Sequence, residues 1–253
     1  MRPGGARRLL TGHLWVYRTE IARLDGDPKD GDVVAVRTVP GRHLGMGLLN
    51  TRSAIAVRLL AAEEREIDER FFADRLRSAL ALRARLVPPG TACRLVYSEG
   101  DYLPGLIVDR YGDLLVVQTL TLGMDQRKEL IVRLLMEMAG PRGIYARNDP
   151  AVRRLEGLPR ETGWLAGGGP THVEIGEGDC RFVVDIAQGQ KTGFFLDQRE
   201  NRTRVADLAP GARILDGFAY TGAWGIRAVR RGGGVVTGLE ISEAAVALAK
   251  QNA

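Results

Sequence analysis

Ile214-Leu-Asp-Gly-Phe-Ala-Tyr-Thr-Gly-Ala-Trp-Gly225, followed by an acid at Glu240, decides how this chain is read. An apolar strand runs into a glycine-rich turn and a helix, and a second apolar strand then ends in a carboxylate. That order opens an α/β, Rossmann-like half-fold, in which ligands sit at the carboxyl ends of parallel strands. Dinucleotide enzymes and S-adenosylmethionine methyltransferases share it. The first group uses Gly-x-Gly-x-x-Gly to bring backbone amides onto a pyrophosphate. Here only Gly222-Ala-Trp-Gly225 matches part of that pattern, and Trp224 is a poor neighbour for a phosphate. The strand ends instead in Asp216, whose charge suits a cofactor with a cationic amine and a sulfonium. Glu240 is placed to accept hydrogen bonds from both ribose hydroxyls, and Ile241 to lie against adenine. Ser242 caps the next helix, with Glu243 in its first turn.

Outward from this stretch, 253 residues allow two or three domains, and the hydrophobic fraction of 45% can fill their cores. No apolar run approaches the ~18 residues of a membrane span. Met1-Arg-Pro-Gly-Gly-Ala-Arg-Arg8 is charged but no apolar core of a signal peptide follows it. Cys93 and Cys180 lie far apart and form no metal-spaced pair, so no metal is expected and a reducing cytoplasm fits them. The charge of +5 is localised: ten of the 36 Lys/Arg but only five of the 31 Asp/Glu fall in 1–62, which leaves 26 of each elsewhere. A basic N-terminal quarter points to a polyanion such as RNA.

Residues 1–62 read as short strands broken by glycine, 32–37, 43–49 and 55–60, and predict a small barrel. Helical spacing of Ile67, Phe71, Phe72, Leu76, Leu80 and Leu82 predicts a helix over 63–85, ended by Pro88-Pro-Gly90. A strand at Cys93, a hairpin turning at Tyr111-Gly-Asp113, a helix over 125–139, a strand at Gly143 and a short helix near 149–155 make a central α+β domain. Gly167-Gly-Gly-Pro170 is the linker candidate, and a hairpin over 173–186 leads to the last block. The expected fold is therefore mixed, with domains at 1–64, 65–184 and 185–253.

Gln190-Lys-Thr-Gly-Phe-Phe-Leu-Asp-Gln-Arg-Glu-Asn-Arg202 is polar, charged and aromatic at once, more than a plain buried helix needs. Together with Asp216-Gly-Phe-Ala-Tyr-Thr-Gly222 it resembles the bacterial 23S ribosomal RNA large-subunit methyltransferases of the cytosine-C5 type. Ala6–Tyr17, through Gly12, His13, Trp15 and Tyr17, looks like the start of that family's PUA domain. Gly100–Gly112 and Ala146–Asp149 look like its central domain. The resemblance implies an S-adenosylmethionine-dependent enzyme in the cytoplasm, acting on RNA and not on a membrane, with a homodimer left open. Carried over, the cofactor contacts are Asp216, Phe218, Tyr220, Thr221, Gly222, Glu240 and Ile241, with Phe195, Gln198 and Arg199 beside them. His13, Trp15, Arg18 and Lys191 are the RNA-facing candidates, with the cofactor the alternative partner of Lys191.

The resemblance also implies a longer chain, with an Asp-Pro-Pro motif and a late cysteine nucleophile, both expected beyond Ala253. No catalytic residue is therefore expected among these 253. The sequence reads as a C-terminally truncated member that is inactive alone, and its last block is expected to expose apolar surface around Ile214, Val235 and Val246. Two other readings compete: a non-catalytic RNA-binding protein that uses the N-terminal domain, and a nicotinamide oxidoreductase, against which the missing Gly-x-Gly-x-x-Gly argues.

Overall fold

The structure, a computed structural model, describes residues 1–2 and 4–253. The N-terminal unit holds α1 (Gly5–Leu10) and four antiparallel strands, β1 (Trp15–Tyr17), β2 (Val33–Arg37), β3 (His43–Leu49) and β4 (Ile55–Ala61), in the spatial order β1-β4-β3-β2. Leu9, Val16, Val36, Leu44, Leu49, Val57 and Leu59 fill its core. The last three strands fall where alternation predicted them. The barrel does not: β1 and β2 remain the two edges, with no ladder joining them among the described residues. At three residues, β1 is too short to close a barrel along β2.

The middle unit contains α2 (Glu69–Leu86), β5 (Cys93–Tyr97), β6 (Leu106–Tyr111), β7 (Leu114–Thr119), α3 (Leu122–Asp125), α4 (Lys128–Ala139), β8 (Gly143–Asn148) and β9 (Glu161–Gly167). Its five strands lie in sequence order; β7 and β8 run parallel across the α4 crossover and the other pairs are antiparallel. The sheet is covered on both faces. Leu115 and Val117 point to the core beneath α2 and α4, whereas Leu114 and Val116 point to a second core under the hairpin β10 (His172–Glu177) and β11 (Cys180–Asp185). Two-sided burial is why residues 114–117 form an unbroken apolar run and do not alternate. Helix α2 starts six residues later than its periodicity suggested, because the Asp68 side chain caps it by accepting from Phe71 N at 2.9 Å.

The last unit runs α5 (Arg199–Ala206), β12 (Ile214–Gly217), α6 (Ala223–Arg230), β13 (Val236–Leu239) and α7 (Glu243–Asn252). Strands β12 and β13 pair in parallel, with Asp216 opposite Gly238. Asn252 binds the unit to the hairpin: its Oδ1 accepts from Val183 N at 2.7 Å, and its Nδ2 donates to the carbonyls of Val183 and Thr221. Ala253 closes α7, its N–H donating to the Ala249 carbonyl at 3.1 Å. Apolar surface is exposed at Val235, Leu215 and Leu239, while Ile214 and Val246 are half-buried.

Two buried carboxylates fasten these units. Glu156 accepts from Asn50 Nδ2 at 2.8 Å, Ser53 Oγ at 2.7 Å and Arg58 Nη2 at 2.9 Å, which locks the N-terminal sheet to the middle unit. Its pKa is held low; burial opposes this, and the bonds from Arg58, Ser53 and Asn50 outweigh it. Glu177, on β10, accepts from Arg202 Nε at 2.8 Å and Arg202 Nη2 at 2.5 Å, with Arg227 Nη2 3.6 Å away. One hairpin residue thereby ties α5 to α6.

Candidate cofactor site at the ends of two parallel strands

Because β12 and β13 are parallel, their carboxyl ends open on the same side, and α6 begins there. The turn from Gly217 to Gly222 is bound across to β13. Ala219 N donates to the Leu239 carbonyl at 2.9 Å, and Tyr220 N donates to Glu240 Oε2 at 2.8 Å. Phe218, Tyr220 and Gly222 all take left-handed φ values, of 61°, 48° and 78°. Two of these are bulky residues that rarely adopt such angles, so the turn is held in shape by its neighbours. A side chain at Gly225 would place its Cβ 2.7 Å from Val236 Cγ1. This glycine serves helix–strand packing.

The two acids are shifted in opposite directions. Asp216 accepts from Gly225 N at 3.1 Å, yet burial raises its pKa against that bond, and no basic side chain pairs with it among the described residues. Glu240 is lowered, first by the Ser242 backbone N–H and then by that of Tyr220, with Ile241 adding to them. Its Oε1 accepts from Ile241 N at 2.8 Å and Ser242 N at 2.9 Å. With Tyr220 N on Oε2, three of about four acceptor sites are taken, which leaves one for a ribose hydroxyl where the sequence suggested two. Phe218 and Ile241 stand 95% and 98% exposed at the ends of the two strands, so large apolar side chains flank the carboxylates. An open groove of about 470 Å³ runs beside Asp216 between α5, β12 and α6. This set suits a cofactor with a cationic end, a ribose and a flat base.

Tyr220 joins the turn to the loop before α5. Its hydroxyl accepts from Gln190 N at 2.9 Å and donates to the Gly193 carbonyl at 3.0 Å. Phe195 packs edge-on against Tyr220 with ring centres 5.5 Å apart, and Lys191 lies 4.6 Å above the Phe195 ring while pairing with Asp197 at 2.8 Å. Gln198 donates to Asp197 Oδ2 at 3.2 Å. The structure thus gathers Lys191, Phe195, Gln198, Asp216, Phe218, Tyr220, Gly222, Glu240 and Ile241 in one connected region. Two expected residues are turned elsewhere. Arg199 donates to the Ala92 carbonyl and lies 3.9 Å from Glu177. Thr221 is fully buried, with its hydroxyl unpartnered among the described residues.

Of the N-terminal candidates, Trp15 lies at the seam with the middle unit. His13 Nδ1 accepts from Trp15 N at 3.1 Å, and Trp15 Nε1 donates to Glu99 at 2.7 Å under the Arg58 guanidinium. Arg18 is exposed. A concavity of about 670 Å³ over the N-terminal sheet is lined by none of these three. Sequence reasoning missed Gln190 and Gly193, whose backbone groups bind Tyr220, and missed Arg147, whose Nη1 holds the same loop through the carbonyls of Ile186 and Gly189. Arg147 sits in the Ala146–Asp149 match, which was the one available signal.

Comparison with known proteins agrees with this geometry. Residues 1–62 match the PUA-like domain family, and residues 154–253 match the family described as S-adenosylmethionine-dependent methyltransferase. Ribosomal RNA large subunit methyltransferase I of Aeromonas salmonicida is 39% identical over 254 residues, covering 99% of this chain and 64% of the relative. Its counterpart in Alteromonas mediterranea is 39% identical over 255 residues, covering 100% and 64%. This chain, from Met1 to Ala253, thus spans about 64% of the length of these curated relatives. A Streptococcus mutans protein described as an S-adenosylmethionine-dependent methyltransferase superposes with a TM-score of 0.83 at 22% identity, covering 99% of this chain and 65% of its own. A crystal structure of a protein described as a methyltransferase, complexed with SAH, gives 0.84 at 22% identity, covering 98% and 63%. At that identity the two structures speak for the fold. The chain carries a PUA-like domain at its N-terminus and an S-adenosylmethionine-dependent methyltransferase domain in its last hundred residues.

Proposed function

We propose that this chain binds S-adenosylmethionine at the ends of β12 and β13, binds RNA through its N-terminal unit, and contributes to methylation of cytosine C5 in 23S ribosomal RNA. The observation that carries the cofactor site is the pair of carboxylates, Asp216 and Glu240, on adjacent parallel strands beside a glycine turn. The ribosomal target is supported by the 39% identity to the two rRNA methyltransferases. The cytosine and its C5 rest on the resemblance of residues 190–202 and 216–222.

In this reading Asp216 faces the amine and sulfonium end, Glu240 accepts from the ribose, and Phe218 and Ile241 enclose the adenine. When bound, the cofactor supplies a methyl group on a cationic sulfur. His13, Trp15, Arg18 and Lys191 face RNA, and the division at 1–64, 65–184 and 185–253 is part of the same proposal. Neither cysteine is poised as a nucleophile. Cys93 and Cys180 are buried, and burial raises both thiols above their ordinary pKa, which disfavours the thiolate. We therefore assign the role of nucleophile to neither Cys93 nor Cys180.

Asp216→Asn tests the site. Replacing a charge-assisted contact is expected to weaken S-adenosylmethionine binding roughly ten- to a hundredfold, measured by calorimetry. Stability should move the other way. Burial raises the folded pKa of Asp216, so the folded chain holds that proton more tightly than the unfolded chain, and the ionised group costs stability above the folded pKa. The variant without cofactor should match or exceed the parent Tm at neutral pH. That advantage should shrink as pH falls through the folded pKa. Unchanged affinity would remove Asp216 from the site.

A further inference from the structure

The turn that leads into the Gly100–Gly112 stretch has an unusual surface. Residues Ser98–Asp101 form a short 3-10 turn bracketed by Tyr97 and Tyr102, which are 56% and 48% exposed. Each ring has a guanidinium over it: Arg94 Cζ lies 5.4 Å from the Tyr97 centroid and Arg75 Cζ 4.8 Å from that of Tyr102. Tyr102 has φ 56° and Ser98 φ 44°, two non-glycine residues in the left-handed region within five positions. For a ring as large as tyrosine this conformation is costly, and it persists only where the surroundings fix it.

The surroundings do fix it. Asp101 is gripped by both Arg83 nitrogens, at 2.5 and 2.7 Å, and accepts from Tyr97 N at 2.6 Å. Ser98 Oγ accepts from Gly105 N at 2.7 Å. Glu99 is held by Trp15 Nε1 at 2.7 Å, with Arg58 3.6 Å away. Asp101 is thus paired with Arg83 and Glu99 shares Arg58 with Glu156, whereas Arg75 makes no ion pair among the described residues. The result is a rigid turn that offers two half-exposed aromatic rings and a cation without a paired acid, next to the N-terminal unit's Trp15.

The geometry points to a stacking platform for unpaired RNA bases at Tyr97 and Tyr102, with Arg75 meeting the phosphate backbone. Every base has a flat face, so rings presented with little conformational freedom bind single strands without reading sequence. A duplex keeps its bases stacked internally and gains nothing from the rings. This inference rests on the RNA reading above and adds to it where, on the middle unit, a single strand is held.

The test uses the whole 253-residue chain with a fluorescent single-stranded oligouridylate and an RNA duplex of equal length. Tyr97→Ala and Tyr102→Gly should each weaken single-strand binding roughly fivefold or more, from the low end of the stacking range, and leave duplex binding unchanged. Glycine suits the φ at position 102, so that variant keeps its fold; Tyr97→Phe keeps the ring and should keep the affinity. Single-strand binding that survives both substitutions would overturn the platform while sparing the RNA reading. No binding of either RNA by the unaltered chain would overturn both.

Discussion

Glu177→Ala is expected to cost about 4–5 kcal/mol of folding stability, near the top of the range for breaking a buried ion pair from one side. Glu177 is 2% exposed, and its partners Arg202 and Arg227 are 1% and 4% exposed at the side chain. Removing the carboxylate leaves Arg202 with the Phe195 carbonyl at 3.1 Å as its one remaining hydrogen-bond acceptor among the described residues. Arg227 fares better, because Asp179 stays 2.5 Å away. The loss should therefore fall first on α5. Since Arg227 sits on the helix whose N-terminus carries the glycine turn, cofactor affinity should drop as well. Urea unfolding monitored by circular dichroism measures the first effect. Glu177→Gln keeps the acceptor without the charge and should recover part of the stability. A loss under about 1 kcal/mol, the scale of an exposed pair, would show that the cluster is not the fastening described.

Glu156→Ala is the second large effect, expected at about 3 kcal/mol. It is smaller because Arg58 keeps a second acid, Glu99, at 3.6 Å. The variant also strips partners from Asn50 Nδ2 and Ser53 Oγ, both in the chain between β3 and β4. The expected signature is domain-specific. The N-terminal unit should open before the rest, so that proteolysis releases a piece near residues 1–64 while the middle unit resists. The sign with pH follows from the lowered pKa of Glu156: its contribution is present above the unfolded value and is lost as pH falls through the folded one. The stability difference between parent and variant should therefore shrink in acid.

The elements legible in the sequence were those with one dominant signal. Helix α4 and the β6–β7 hairpin announced themselves by periodicity and by the Gly112 turn. Strand β9 did not, because it is a sheet edge whose residues are mostly half-buried and do not alternate cleanly, so Glu161-Thr-Gly-Trp-Leu-Ala-Gly167 carries little pattern. The strand-end acids could be placed because the order strand, turn, helix, strand fixes which residues share an edge. Arg199 and Arg202 were conspicuous by their company, but their partner Glu177 lies 25 residues before Arg202, on a hairpin that nothing local connects to α5. Long-range ion clusters of this kind leave no spacing to read. The barrel failed for a related reason, since closure depends on the length of an edge strand and not on its composition.

The turn after β12 and the end of β13 are proposed to hold S-adenosylmethionine together. Amide hydrogen exchange of the 253-residue chain, with and without saturating S-adenosylmethionine, tests this most directly. Slowed exchange is expected to be confined to Phe218–Gly225 and Glu240–Ser242, with none in the N-terminal sheet. Unchanged exchange in both segments, or the same protection produced by NADH, would contradict it.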